Sequence, residues 1–174
     1  MIRNRLTPIF SQFSLINIKP DLVILFEKMD YSFAGADNRS EIKQLLAGCD
    51  LPHEDITTAR FKHFLLGWDG PGLVAVVGLE IKNQDALLRS LAVDAAYRNR
   101  GIATTLVGRI EDYAISLKLD TLYLLTMTAE AFFKKCGYRI TARDSAPADL
   151  QGTTEFKGLC PASAVCMVKH LGPD

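Results

Sequence analysis

A chain of 174 residues is long enough for one domain with a full core, and its 48% apolar content is ordinary for a globular protein. Twenty basic and twenty acidic side chains cancel, and no block of one sign marks a nucleic acid or other polyanion as partner. The longest early apolar run, Leu22–Phe26, is far too short to cross a bilayer.

Residues 1–28 differ in pattern from the rest of the chain. Arg3 and Arg5 precede a mixed stretch, PIFSQFSLINI, with neither the unbroken apolar segment nor the small-residue site of a secretory signal. Met29 reads as an original start with an extension upstream; the alternative is an extra element packed on the domain. Residues 29–174 read as one domain.

Tyr31–Ala34 reads as a short strand. Asp37 or Asn38 then caps a helix over Arg39–Ala47, with Ile42, Leu45 and Leu46 as its apolar stripe and Gly48 at its end. Asp50-Leu51-Pro52 breaks the pattern, and a second, shorter helix is expected over Asp55–Lys62. His53, Glu54 and Asp55 either border a pocket or form a solvated connection. Phe64–Trp68, Leu73–Ile81 and Ala86–Val93 read as an antiparallel meander, turning at Asp69-Gly70-Pro71-Gly72 and at Lys82–Asp85. A helix over Ile102–Leu117 comes next, with Leu106, Ile110, Tyr113 and Ala114 at helical spacing. Then come a buried strand, Thr121–Thr126, a helix, Ala129–Cys136, and a strand, Tyr138–Arg143. An irregular stretch over Ser145–Gly158 leads to a last strand, Ala162–Val168. Cys49, Cys136, Cys160 and Cys166 form no C-x-x-C pair and read as reduced thiols in a cytosolic core.

The most informative stretch is Leu87–Thr104. A strand ends in a polar turn, and Arg98-Asn99-Arg100-Gly101-Ile102-Ala103 opens directly into a helix. A small-residue loop at a helix start presents unpaired backbone N–H groups and the positive end of the helix dipole. That arrangement takes an anion, most often phosphate.

The strand SLAV with R-x-x-G-x-A and a helix, the strand LYLLT, and the segment TAEAFFKKCGY, in this order, resemble the GNAT superfamily of acetyl-CoA-dependent N-acetyltransferases over roughly Asp30 to Leu171. The segments LLRSLAV, LYLLT, EAFFKKCGYR and FKGLCPASAVCMVK resemble the branch associated with arsenic-resistance genes. The resemblance implies an α/β fold: a mixed, mostly antiparallel sheet flanked by helices and splayed open to take acetyl-CoA. It places the pyrophosphate on the backbone of Arg98, Asn99, Arg100, Gly101, Ile102, Ala103 and Thr104. It places the pantetheine arm along Leu91, Ala92 and Val93, with the sheet splayed open beside LYLLT; Phe133 is a candidate cofactor contact and Thr126 a candidate acceptor contact. A backbone N–H near Leu91–Val93 would meet the thioester oxygen as it becomes negative. Many members carry a tyrosine four residues before the glycine of the second motif, as acid for the leaving thiolate. Here that residue is Phe133, which has no proton to give.

Arg89 lies mid-strand. If the hairpin closes around Asn83-Gln84, Lys82 faces Asp85, Glu80 faces Leu87, and Glu80 sits diagonally beside Arg89. Alternation puts Leu87, Arg89 and Leu91 on one face. Arg89 and Glu80 are either a structural pair or an acceptor device, with the guanidinium gripping a carboxylate or arsinate-like oxyanion while Glu80 orients it or acts as general base. Arg143, Asp144, Thr153, Thr154 and Glu155 crowd a segment that in this fold often borders the acceptor.

The resulting expectation is a cytoplasmic enzyme that acetylates the amine of a small molecule, such as a toxic amino-acid analogue, without a metal and without a nucleic-acid or membrane partner. Homodimers are common in the family, and no residue here fixes the oligomer. The rivals are a protein or peptide acetyltransferase and a catalytically weak acyl-CoA-binding sensor.

Overall fold

In the computed structural model, which describes residues 29–56 and 58–172, the strands are β1 (Asp30–Phe33), β2 (Phe64–Asp69), β3 (Gly72–Lys82), β4 (Asp85–Val93), β5 (Thr121–Thr126), β6 (Arg139–Ile140) and β7 (Val165–His170). The helices are α1 (Arg39–Gly48), α2 (Ile102–Ser116), α3 (Glu130–Lys135) and the single turn α4 (Ala148–Gln151). The expectations for residues 1–28 lie outside the described residues. The strands form one sheet in the order β1-β2-β3-β4-β5-β7-β6. Every neighbouring pair is antiparallel except β4 and β5. This is the mixed, mostly antiparallel α/β sheet expected from the sequence.

β3 is apolar along most of its length because both its faces are covered. Val76 joins Leu66 and Ala92 against Ile42, Leu45 and Leu46 of α1. Val77 and Leu79 look the other way, onto Leu106, Val107 and Ile110 of α2. Each such side chain contributes about 1.5–3 kcal/mol on burial. A third, smaller cluster joins Leu87 and Cys166 to Ala146, Leu150 and Phe156 from the segment between β6 and β7. The α1 face of the sheet is therefore shared between α1 and that segment.

Two elements differ from expectation. The helix over Asp55–Lys62 is instead a tight 3-10 turn over Thr58–His63. Ile56 and Phe61 are both buried, yet five residues apart they would point about 140° apart on an α-helix. The strand expected over Tyr138–Arg143 is cut to Arg139–Ile140, because Tyr138 turns into the core.

Candidate active site

The expected hairpin register is present: Lys82 faces Asp85, Glu80 faces Leu87 and Gly78 faces Arg89. Beyond it the ladder slips, and Val76 faces Ala92, so Val77 stands opposite both Ser90 and Leu91. Ser90 absorbs the extra residue with φ of 57°, a left-handed conformation that serine seldom adopts. The bulge reverses the alternation. Leu91 packs with Leu88 on the α2 side, while Ala92 joins the α1 side. The expectation that Leu91 shares a face with Arg89 is thus overturned by one extra residue.

The bulge lies where the sheet opens. β4 and β5 pair through only three positions, ending at Leu87 and Tyr123, whereas β5 pairs with β7 along its whole length. Past Leu87 the two strands part around a cavity of about 520 Å³. Its walls are Leu88–Leu91 of β4, Leu124–Thr126 with the turn to α3, Phe133, and two loops at Cys49–Pro52 and Leu159–Pro161. Asp94 N–H donates to Val74 O at 2.8 Å. Antiparallel alternation then turns the N–H and C=O of Val93 away from β3, onto the open edge.

At the far end of the opening lies the Arg98–Thr104 loop. Arg98, Asn99, Gly101, Ile102, Ala103 and Thr104 line one hollow of about 330 Å³ with Val93, Tyr97 and Phe132. Asn99 and Gly101 are left-handed, at φ of 63° and 77°. Nothing stands within 4 Å of where a Gly101 Cβ would be, so this glycine is required for its backbone angle rather than for space. The first helical bond of α2 runs from Thr105 N to Gly101 O at 3.0 Å. The N–H groups of Ile102, Ala103 and Thr104 therefore have no partner within the helix. No acidic side chain occupies the first turn of α2, so its dipole is free to favour an anion. Arg98 braces the loop by donating from Nε to Val93 O at 3.1 Å. Arg100 does not line the hollow: it donates to Ala96 O at 3.0 Å and lies over the Tyr97 ring.

Phe133 is buried on the cavity wall, edge-on to Phe132 and Tyr138. Tyr138 lies beneath it in the core. Burial and the neighbouring Glu111 carboxylate raise the Tyr138 pKa far above the usual phenol value, so this hydroxyl stays protonated. The Thr126 hydroxyl lines the cavity and accepts from Ala129 N at 3.0 Å, fixing the approach to α3.

At the other end of the cavity stands Arg89, with its side chain 1% exposed. Its Nη1 and Nη2 donate to Asp55 at 2.8 and 2.7 Å, and Nη1 also donates to Glu80 at 3.1 Å. Its Nε lies 3.0 Å from Glu155. The expected Arg89–Glu80 pair is present, enlarged to three carboxylates. Burial opposes the charge on Arg89; hydrogen bonding to Asp55 and the charges of Glu155, Asp55 and Glu80 outweigh it and raise the pKa. Burial raises the Glu155 pKa, helped by Asp55 and Glu80 and opposed by Arg89. Arg89 reaches the cavity wall; Glu80 is not among the lining residues. The Cys160 thiol, also on the wall, lies 3.9 Å from Glu155 and is pushed up to about 11 by burial and that carboxyl. Asp55 was legible as a polar residue at the start of an expected helix, bordering either a pocket or a solvated connection, and Glu155 as part of a segment that often borders the acceptor; no local signal announced that both would meet Arg89.

These features match known proteins. The acetyltransferase (GNAT) family model matches residues 31–138, more than half the chain. No curated protein matches in sequence. Among solved structures, N-acetylglutamate synthase from Neisseria gonorrhoeae, complexed with coenzyme A and N-acetyl-glutamate, superposes with a TM-score of 0.74 at 15% identity. The match covers 84% of this chain and 36% of the synthase, so the chain spans about a third of that protein's length. Rv2747 from Mycobacterium tuberculosis, in complex with CoA, gives a TM-score of 0.69 at 21% identity, covering 81% of this chain and 98% of that one. The PaiA N-acetyltransferase from Thermoplasma acidophilum, in complex with coenzyme A, gives 0.62 at 12%, covering 82% and 99%. The chain belongs to the acetyltransferase (GNAT) family.

Proposed function

We propose that this protein is a cytoplasmic N-acetyltransferase that moves the acetyl group of acetyl-CoA to the primary amine of a small molecule by direct attack in a ternary complex. The observation that carries the reading is the opening between β4 and β5, which joins an N–H cradle at the start of α2 to a largely apolar, loop-walled cavity. The cradle suits a pyrophosphate held by Arg98, Asn99, Gly101, Ile102, Ala103 and Thr104. The β4 edge at Leu91–Val93, which faces the opening, suits the amides of a pantetheine arm, which would pair there like an added strand.

In this reading the β4 backbone near Leu91–Val93 donates to the thioester oxygen as it becomes negative. Such a donor is worth about 3–4 kcal/mol of barrier in other enzymes. Holding both reactants in one cavity contributes about 7–11 kcal/mol, so positioning outweighs any single acid or base. Phe133 supplies no proton; the amine gives up its proton to water before attack, and the thiolate leaves toward water. Glu80 orients Arg89 rather than acting as base, because a base must reach the amine and Arg89, not Glu80, lines the cavity. The arsenic-linked segments favour amino-acid analogues as acceptors. The guanidinium of Arg89 is already directed at three carboxylates, so we assign a carboxylate of such an acceptor to other donors in the cavity. A second reading, an acyl-CoA sensor, is favoured by Phe133 alone.

The test is release of CoA thiol under saturating acetyl-CoA, with amino acids, their arsenic- and phosphorus-containing analogues, polyamines and peptides as acceptors. Release with a small amine supports the reading. Release with peptides only moves the acceptor class to a protein terminus or side chain. Binding of acetyl-CoA with no release on any amine favours the sensor.

A further inference from the structure

Two walls of the acceptor end are loops, and neither has a regular ladder of its own. We propose that Arg89 is the positioning residue of this end: it fastens both loops to β4, and the cavity keeps its shape only while Asp55 and Glu155 rest on the guanidinium together. The inference rests on the acetyl-transfer reading for its purpose, but its geometry stands apart from it.

Asp55 lies three residues past Pro52, and Glu155 four before Leu159. Pro52 and Leu159 both line the cavity. Asp55 takes two parallel bonds from Arg89, at 2.8 and 2.7 Å, a fork that resists rotation as well as separation. Glu155 meets Nε from another side at 3.0 Å. The loops also touch directly, since Thr154 Oγ1 donates to Asp55 at 2.6 Å. Within the second loop, Arg143 donates to the carbonyls of Glu155, Phe156, Cys160 and Pro161 at 2.7–3.2 Å. That stapled segment moves as one piece, so a hold at Glu155 is a hold on the wall at Leu159–Pro161. From β3, Glu80 and Lys82 add to the charges near the guanidinium, Glu80 at 3.1 Å from Arg89 and Lys82 at 3.6 Å from Glu80. At Arg89 the strand is held on one side, opposite Gly78 of β3, and this pairing carries the anchor.

The consequence that separates this role from ordinary local packing is reciprocal: cutting either tie loosens both loops. The measurement is hydrogen–deuterium exchange of the full chain, which needs no acceptor. The variants are Asp55→Asn, Glu155→Ala, Glu155→Gln and Thr154→Val. Asp55→Asn and Glu155→Ala are each expected to speed exchange about tenfold in both 49–56 and 153–161, with the start of α2 unchanged. Glu155→Gln keeps an oxygen beside Nε, where Glu155 now lies at 3.0 Å, and is expected to stay within about twofold of the parent protein. Thr154→Val, the mildest change, is expected to loosen 49–56 in a folded protein. With an acceptor in hand, Glu155→Ala raises its KM and leaves kcat and the KM for acetyl-CoA in place.

Loosening confined to the substituted loop overturns the proposal, as does loosening spread evenly through α2, or none at all. If Asp55→Asn fails to fold, Thr154→Val and the Glu155 pair decide by the same criteria. Calorimetric binding of acetyl-CoA is measured alongside. A chain that does not bind acetyl-CoA defeats the acetyl-transfer reading and leaves the exchange result to be judged by itself.

Discussion

Arg89 donates to both carboxylate oxygens of Asp55 across 34 residues of chain, and this fork ties β4 to a loop of the acceptor end with the Arg89 side chain 1% exposed. Its surroundings set the cost of breaking it. Replacing Arg89 by Met would leave three carboxylates without the guanidinium that they share, and breaking a buried pair in this way costs about 3–5 kcal/mol. Arg89→Lys keeps a charge but loses the fork. We expect it to fold, and to raise acceptor KM by about tenfold, equivalent to roughly 1.4 kcal/mol, with acetyl-CoA KM unchanged. Steady-state kinetics with both substrates varied checks this. An unchanged acceptor KM would mean that the fork has no bearing on the acceptor.

The Arg98–Thr104 loop makes a different prediction, because its requirement lies in the backbone. Gly101 at φ of 77° has open space around its α-carbon. Gly101→Ala therefore meets no clash and suffers only left-handed strain, about 1–2 kcal/mol. Relaxing that strain swings the free N–H groups of Ile102, Ala103 and Thr104. Acetyl-CoA affinity should fall about tenfold while the melting temperature drops by no more than about 2–8 °C. Calorimetry on the variant decides it, and unchanged affinity would remove the N–H cradle from the binding site.

These two predictions also mark how far the sequence could be read. The Gly101 loop was legible because its chemistry is local: a strand, a glycine and a helix start within a few residues. Glu80 beside Arg89 was legible because a short hairpin fixes register. Asp55 and Glu155 were not, since their meeting depends on two loops far apart in the chain closing over the same guanidinium. The bulge at Ser90 was hidden for another reason. Leu88-Arg89-Ser90-Leu91 alternates well enough as a sequence, and only the pairing of Val76 with Ala92 reveals the extra residue. The 3-10 turn at Thr58–His63 departs from the expected helix because burial of Ile56 and Phe61 outweighs helix propensity.

Phe133 offers a gain-of-function test. It stands on the cavity wall where many relatives carry a tyrosine, and its para position is the natural place for a hydroxyl. A positioned general acid contributes about 10²–10⁴-fold where the leaving group needs one. A CoA thiolate is a good leaving group, so we expect Phe133→Tyr to raise kcat by only about tenfold. Thiol release measured across pH should gain a dependence on the new hydroxyl. A lower kcat with intact acetyl-CoA binding would mean that the leaving thiolate already has its donor.

Glu155 sets a pH dependence whose sign is dictated by its surroundings. Burial, with Asp55 and Glu80 beside it, raises its pKa above the ordinary 4.5 despite Arg89. The folded protein therefore holds this proton more tightly than the unfolded chain does. Its contribution to stability is fully present below 4.5 and is lost as pH rises through the raised folded value. Glu155→Gln fixes the neutral form, so the variant should gain stability relative to the parent protein as pH rises. Urea unfolding of both proteins at about pH 5 and about pH 8 compares them on either side of the neutral range. A difference that widens toward high pH in favour of Gln is the expected outcome. A constant difference would mean that the folded protein does not raise the Glu155 pKa.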